Sequence, residues 1–86
     1  MTPAHRLARG VRLRREADGS ALLLVPEGIV TLNDTAAAVL ELTDGSRTIA
    51  AIAADLSERF DADRAALEID VRDLLDEFVT RGYVRV

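Results

Sequence analysis

The sequence predicts an α+β domain: a three-stranded antiparallel meander followed by three helices in a winged-helix-like order. Three observations carry this. Val11 and Leu13 alternate with Arg12 and Arg14 as far as Asp18-Gly19, a dipeptide suited to a hairpin turn. Ala21 to Val25 then runs into Pro26-Glu27-Gly28 and out again through Ile29 to Leu32. Beyond residue 33 the apolar period changes from two to that of a helix and stays there for three successive segments.

Taken in order, the strands fall near 11–17, 20–25 and 29–32. A two-residue turn at Asp18-Gly19 sets Leu13 opposite Leu24, Arg15 opposite Leu22, and Arg12 and Arg14 opposite Val25 and Leu23. A type I turn at Pro26-Glu27 with Gly28 left-handed pairs Val25 with Ile29 and Leu23 with Thr31. Neighbours along a strand point to opposite sides, so Val11, Leu13, Leu22, Leu24, Val30 and Leu32 are expected inside. Leu23, Val25, Ile29 and Thr31 are expected on the outer face beside Arg12 and Arg14, an aliphatic cluster that needs a cover.

Asn33 or Asp34 can cap a first helix reaching about Thr43, with Ala36, Val39 and Leu40 on one side and Asp44-Gly45 as its stop. Thr48 can cap a second, whose Ile49, Ile52, Ala53, Leu56 and Phe60 fall at helical spacing. The third starts near Asp61 or Asp63 and carries Leu67, Val71, Leu74, Leu75 and Phe78 as one stripe up to Arg81-Gly82. Ile69 lies about 200° from Leu67 around that helix, so it is either covered by the N-terminal segment, the favoured reading, or exposed for a partner. Residues 83–86 can add a short tail strand.

With 86 residues the chain makes one small domain, read as a flexible basic arm over 1–10 and a folded body over 11–86. Aromatics are 3% of the residues, so the core must be aliphatic. The longest aliphatic run, Ala21 to Val25, is too short to cross a bilayer and the N-terminus has no apolar signal core, which together predict a cytoplasmic protein with no membrane role. Without cysteine there is neither a disulfide framework nor a thiolate metal site.

Catalytic constellations are missing from the pattern. Asp73 and Glu77 lie one turn apart on the third helix, but no histidine or glycine-rich loop accompanies them, so they read as a solvated face. His5, the single histidine, has no nucleophile beside it. No metal, no cofactor and no enzymatic activity are expected, and function should come from binding. A winged-helix DNA-binding protein is the first alternative. Asp61, Asp63, Glu68, Asp70, Asp73, Asp76 and Glu77 oppose only Arg64 and Arg72 on the helix that would enter a groove, so nucleic acid is not the expected partner. A structural homodimerisation module built on the outer sheet face is the second.

Several short elements occur in a familiar order: Leu23-Leu24-Val25-Pro26-Glu27, Leu32-Asn33 with Ala36, Leu40 with Asp44-Gly45, and Asp70-Val71 with Leu74 and Leu75. This ordered set resembles the PqqD family of pyrroloquinoline quinone biosynthesis over residues 7–86. Val25 stands where that family often has Tyr, and Thr43 where it often has Cys. The resemblance implies a peptide-recognition domain that holds the leader of a ribosomally made precursor peptide and presents it to a radical S-adenosylmethionine enzyme. The iron-sulfur chemistry belongs to the enzyme.

An extended peptide can add to an unpaired strand edge and lay side chains in the adjoining groove. The expected peptide-binding residues are therefore Ile29, Val30, Thr31, Leu32 and Asn33 on the edge, and Leu67, Asp70, Val71 and Leu74 on the third helix. In the expected register the N–H groups of Val30 and Leu32 point outward. Arg12, Arg14, Leu23 and Val25 are expected to meet the enzyme or a second copy of the chain.

Overall fold

The computed structural model describes residues 4–86. The chain forms β1 (Arg6–Leu7), β2 (Arg12–Arg15), β3 (Ala21–Val25), β4 (Gly28–Leu32), α1 (Asp34–Glu41), α2 (Ile49–Phe60), α3 (Arg64–Thr80) and β5 (Val84–Arg85). Strands β2, β3 and β4 make an antiparallel meander in that order, and the three helices follow it, as the sequence predicts.

Both hairpins close one residue away from expectation. At the first, Glu16 N–H donates to Ser20 C=O at 2.9 Å and Gly19 N–H to Glu16 C=O at 3.1 Å, so the loop is Ala17-Asp18-Gly19. The Asp18 carboxylate accepts from Ser20 N–H at 2.9 Å and Ser20 Oγ at 2.7 Å, and Gly19 takes φ +91°. At the second, Val25 pairs directly with Gly28 across Pro26-Glu27. Gly28 is in a strand at φ +150°, a conformation L side chains rarely adopt, which lets the shorter loop close.

The first difference slides β3 by one residue against β2, giving Leu13 opposite Leu23 and Arg12 opposite Leu24. A one-residue slip turns every side chain of a strand over. Leu23, expected outside, is wholly buried at the centre of the core, and Val25 packs against that core. Leu22 and Leu24 take the outer face instead. The second difference slides β4 back, so Val30 and Leu32 still face inward and Ile29 and Thr31 outward, with Leu23 opposite Val30 and Leu22 opposite Thr31. The outer face therefore consists of Arg12, Arg14, Leu22, Leu24, Ile29 and Thr31. The molecule measures only 18 Å along its shortest axis, and among the described residues nothing covers that face.

The helix caps are those the sequence signals. Asn33 Oδ1 accepts from Ala36 N–H at 2.7 Å, Thr48 Oγ1 from Ala51 N–H at 3.1 Å, and Asp63 Oδ2 from Ala66 N–H at 2.9 Å. Such caps contribute about 1 kcal/mol each. Asp61 ends α2 in the left-handed region at φ +49°. In α3, Leu67, Val71, Leu75 and Phe78 are buried in the core, with α2 and β5 as the helix's main neighbours, while Leu74 is half-buried. Of the two readings of Ile69, covered by the N-terminal segment or exposed, the structure has the second: it is 58% exposed.

Part of the segment read as a flexible arm is built into the domain. Arg6 pairs with Arg85 and Leu7 with Val84, Ala8 N–H donates to Tyr83 C=O at 2.9 Å, and Gly45 N–H donates to His5 C=O at 2.9 Å. His5 is buried by this arrangement. Residues 1–3 of the same segment lie outside the described residues. Asp44-Gly45-Ser46 repeats the turn chemistry of Asp18-Gly19-Ser20: the Asp44 carboxylate accepts from Ser46 N–H at 3.0 Å and Ser46 Oγ at 2.7 Å, with Gly45 at φ +87°.

Candidate peptide-binding groove

The backbone of β4 sets the site. A two-residue loop makes its closing pair, Val25 and Gly28, a hydrogen-bonded pair. Hydrogen-bonded and non-hydrogen-bonded pairs alternate along an antiparallel ladder. Val30 and Leu32 therefore spend their N–H and C=O groups on Leu23 and Ala21, and those of Ile29 and Thr31 point away from the sheet. This reverses the expected assignment, which makes Val30 and Leu32 the outward donors. The cause is again the loop length, because one residue in the turn changes the parity of the whole strand. Among the described residues no strand pairs with this side of β4.

Beside the far end of β4, α1 and α3 enclose a cavity of about 230 Å³ lined by Asn33, Thr35, Ala36, Val39, Asp70, Val71 and Leu74. Four of the residues expected to bind peptide, Asn33, Asp70, Val71 and Leu74, thus come together. Ile29 and Thr31 lie on the open edge and are exposed, whereas Val30 and Leu32 face the inner side. Leu67 is 8% exposed and belongs to the core beneath α3 instead of the cavity wall. Thr35, Ala36 and Val39 line the wall without being marked as site residues by the sequence pattern. Ala36 and Val39 carry the same signal as a core position, since both are buried at helical spacing.

The chemistry of the groove is mostly apolar with one charge. Asp70 is exposed at its wall and makes no ion pair with any described residue, and no basic side chain lines the cavity. Asn33 is partly committed, its Oδ1 holding the first turn of α1. Among the described residues no three His, Cys, Asp or Glu side chains come together as a metal site, and no helix is long and apolar enough to cross a membrane. Of the residues expected at an enzyme or dimer interface, Arg12 and Arg14 stand exposed on the outer face, and Leu23 and Val25 face the core.

Comparison with known proteins agrees with this architecture. The family model described as "Coenzyme PQQ synthesis protein D (PqqD)" matches residues 20–84. A relative from Azotobacter vinelandii named PqqA binding protein is 44% identical over 81 residues, spanning 93% of this chain and 87% of its own. The solution structure of the PqqD part of Methylobacterium extorquens PqqCD, described as a stand-alone recognition element for ribosomally synthesized, post-translationally modified peptides, superposes with a TM-score of 0.83. It shares 38% identity and covers 95% of this chain and 88% of its own. A lasso peptide synthetase B1 solved with its leader peptide has the same fold, with a TM-score of 0.80 at 24% identity over 95% of this chain and 98% of its own. The chain belongs to the PqqD family.

Proposed function

We propose that the chain is a non-catalytic carrier in pyrroloquinoline quinone biosynthesis that binds the leader of a PqqA-like precursor by strand addition and presents it to a radical S-adenosylmethionine enzyme in the cytoplasm. The observation that carries this reading is the unpaired β4 edge, with Ile29 and Thr31 turned outward, running towards an apolar cavity walled by α1 and α3. An extended peptide gains main-chain hydrogen bonds from the edge and specificity from alternate side chains entering the groove. A few bonds at about 0.5–1.5 kcal/mol each, with one or two apolar anchors, reach the roughly 8 kcal/mol of a micromolar complex. Affinity of that order suits a carrier that must release its cargo. The name of the Azotobacter vinelandii relative supports PqqA as the peptide.

Titration of PqqA precursor into isotopically labelled protein tests the reading by amide shifts. The residues of β4 and the Asp70–Leu74 stretch of α3 should move together and saturate together. Shifts confined to Arg6–Arg15 would show charge attraction to the arginine-rich segment and overturn the groove.

A further inference from the structure

The sheet has a second open edge, on the side away from the leader groove. Glu16 and Ser20 form a hydrogen-bonded pair at the first hairpin, so by alternation Arg14 and Arg12 bond to Leu22 and Leu24. The N–H and C=O groups of Leu13 and Arg15 then point away from the sheet. Among the described residues no strand pairs with this side of β2.

Along that edge runs an open trough of about 640 Å³ whose apolar floor includes Leu7, Val11, Leu13 and Leu40. Its two acids are already engaged within the chain: Glu41 accepts from Arg15 Nε at 2.8 Å, and Asp44 holds Ser46 and faces Arg47 at 3.3 Å. Arg6 and Arg12 have no ion-pair partner among the described residues, and Arg14 reaches only Glu16, at 3.7 Å. The unpaired charge at this edge is positive, whereas the one charged side chain lining the leader groove is Asp70.

We propose that the β2 edge is a second strand-accepting site, which takes an extended segment of another protein in which acidic and apolar residues alternate. Such a strand bonds to the main chain of Leu13 and Arg15. It sets an apolar side chain over the trough beside Leu13 and carboxylates on the outer face beside Arg12 and Arg14, where opposite charges across strands attract. A second copy of this chain fits poorly. Antiparallel pairing of two β2 strands centred on Leu13 sets Arg12 against Arg14, and centred on Arg14 sets that arginine against itself.

The test uses two synthetic peptides, acetyl-Glu-Val-Glu-Val-Glu-Val-amide and its lysine counterpart, titrated into the labelled full chain at low salt. The acidic peptide should shift the Leu13 and Arg15 amides and leave Ile29 and Thr31 in place, and the lysine peptide should leave Leu13 and Arg15 unmoved. An Arg12→Gln/Arg14→Gln double variant with a wild-type melting curve should bind the acidic peptide about five-fold more weakly. Equal shifts from both peptides at β2, or unchanged affinity in the double variant, overturn the charge assignment. Shifts that spare the Leu13 and Arg15 amides overturn strand addition. Concentration-dependent sedimentation of the free chain with those two amides protected would assign the edge to a second copy instead.

Discussion

Val25 stands opposite Gly28 across the second hairpin, and that single pairing decides which backbone groups β4 offers to a partner. Because the loop between them holds only Pro26 and Glu27, Ile29 and Thr31 face outward and Val30 faces β3. A loop one residue longer would exchange those roles without changing the composition of the strand.

Proline at each of two adjacent positions separates the two arrangements. Thr31→Pro removes an outward donor and leaves the β3–β4 ladder intact, as edge strands tolerate proline. It should melt near wild type and lose about one hydrogen bond to the precursor, roughly a 2- to 10-fold rise in Kd by calorimetry. Val30→Pro removes a ladder bond and should lower stability by about 1–3 kcal/mol in denaturant unfolding. If Val30→Pro melts normally and Thr31→Pro unfolds, the outward donors of β4 are Val30 and Leu32 after all.

The bound leader should show a two-residue period. On an added strand, side chains level with Val30 and Leu32 point towards the groove and those level with Ile29 and Thr31 point to the outer face. Alanine scanning of the precursor's leader should therefore find alternate positions sensitive, each inward apolar residue contributing about 1.5–3 kcal/mol. Sensitivity with a three- or four-residue period would mean that the leader binds as a helix.

Much of this architecture is legible in the sequence because it rests on local chemistry. Asn33, Thr48 and Asp63 are good acceptors at the start of apolar-periodic segments, and each caps the expected helix. Leu67, Val71, Leu75 and Phe78 repeat at helical spacing and are buried. Loop length is not legible in the same way. Asp18-Gly19 suits a two-residue turn and the end of a three-residue loop equally well, and the bonds from Ser20 to Asp18 accompany the longer one. That one residue moves Leu23 from the surface to the centre of the core. The α1 wall is hidden for a different reason: Ala36 and Val39 serve core and groove at once, and periodicity reports only the first.

The two Asp-Gly-Ser turns should appear in the acid limb of stability. Hydrogen bonds from Ser46, with Arg47 nearby, hold the Asp44 carboxyl below its ordinary value of 3.8, and bonds from Ser20 do the same for Asp18. A carboxyl lowered in the folded state stabilises the fold above its ordinary value, and that contribution disappears as pH falls through the lowered one. Melting temperature should fall between roughly pH 5 and pH 2, and a Ser20→Ala/Ser46→Ala variant should show a shallower fall than wild type. An identical acid limb in both proteins would remove these turns from the pH dependence.

The outer sheet face separates a core role from an interface role at neighbouring residues. Leu23 is wholly buried, and Leu24, directly next to it, lies outside beside Arg12 and the 64% exposed Ile29. Leu23→Glu places an unpaired charge in the core, at a cost of several kcal/mol, and should leave no cooperative melting transition. Leu24→Glu meets water in the free protein and should melt close to wild type, with precursor affinity within a few-fold. If this face docks the modifying enzyme or a second copy, the introduced carboxylate becomes stranded among Leu22, Ile29 and the partner's apolar surface. Association by sedimentation should then weaken at least about ten-fold, the effect of 1.4 kcal/mol. Unchanged enzyme association and self-association in folded Leu24→Glu would exclude the face as an interface. Loss of precursor binding alone would instead place the leader across the outer face.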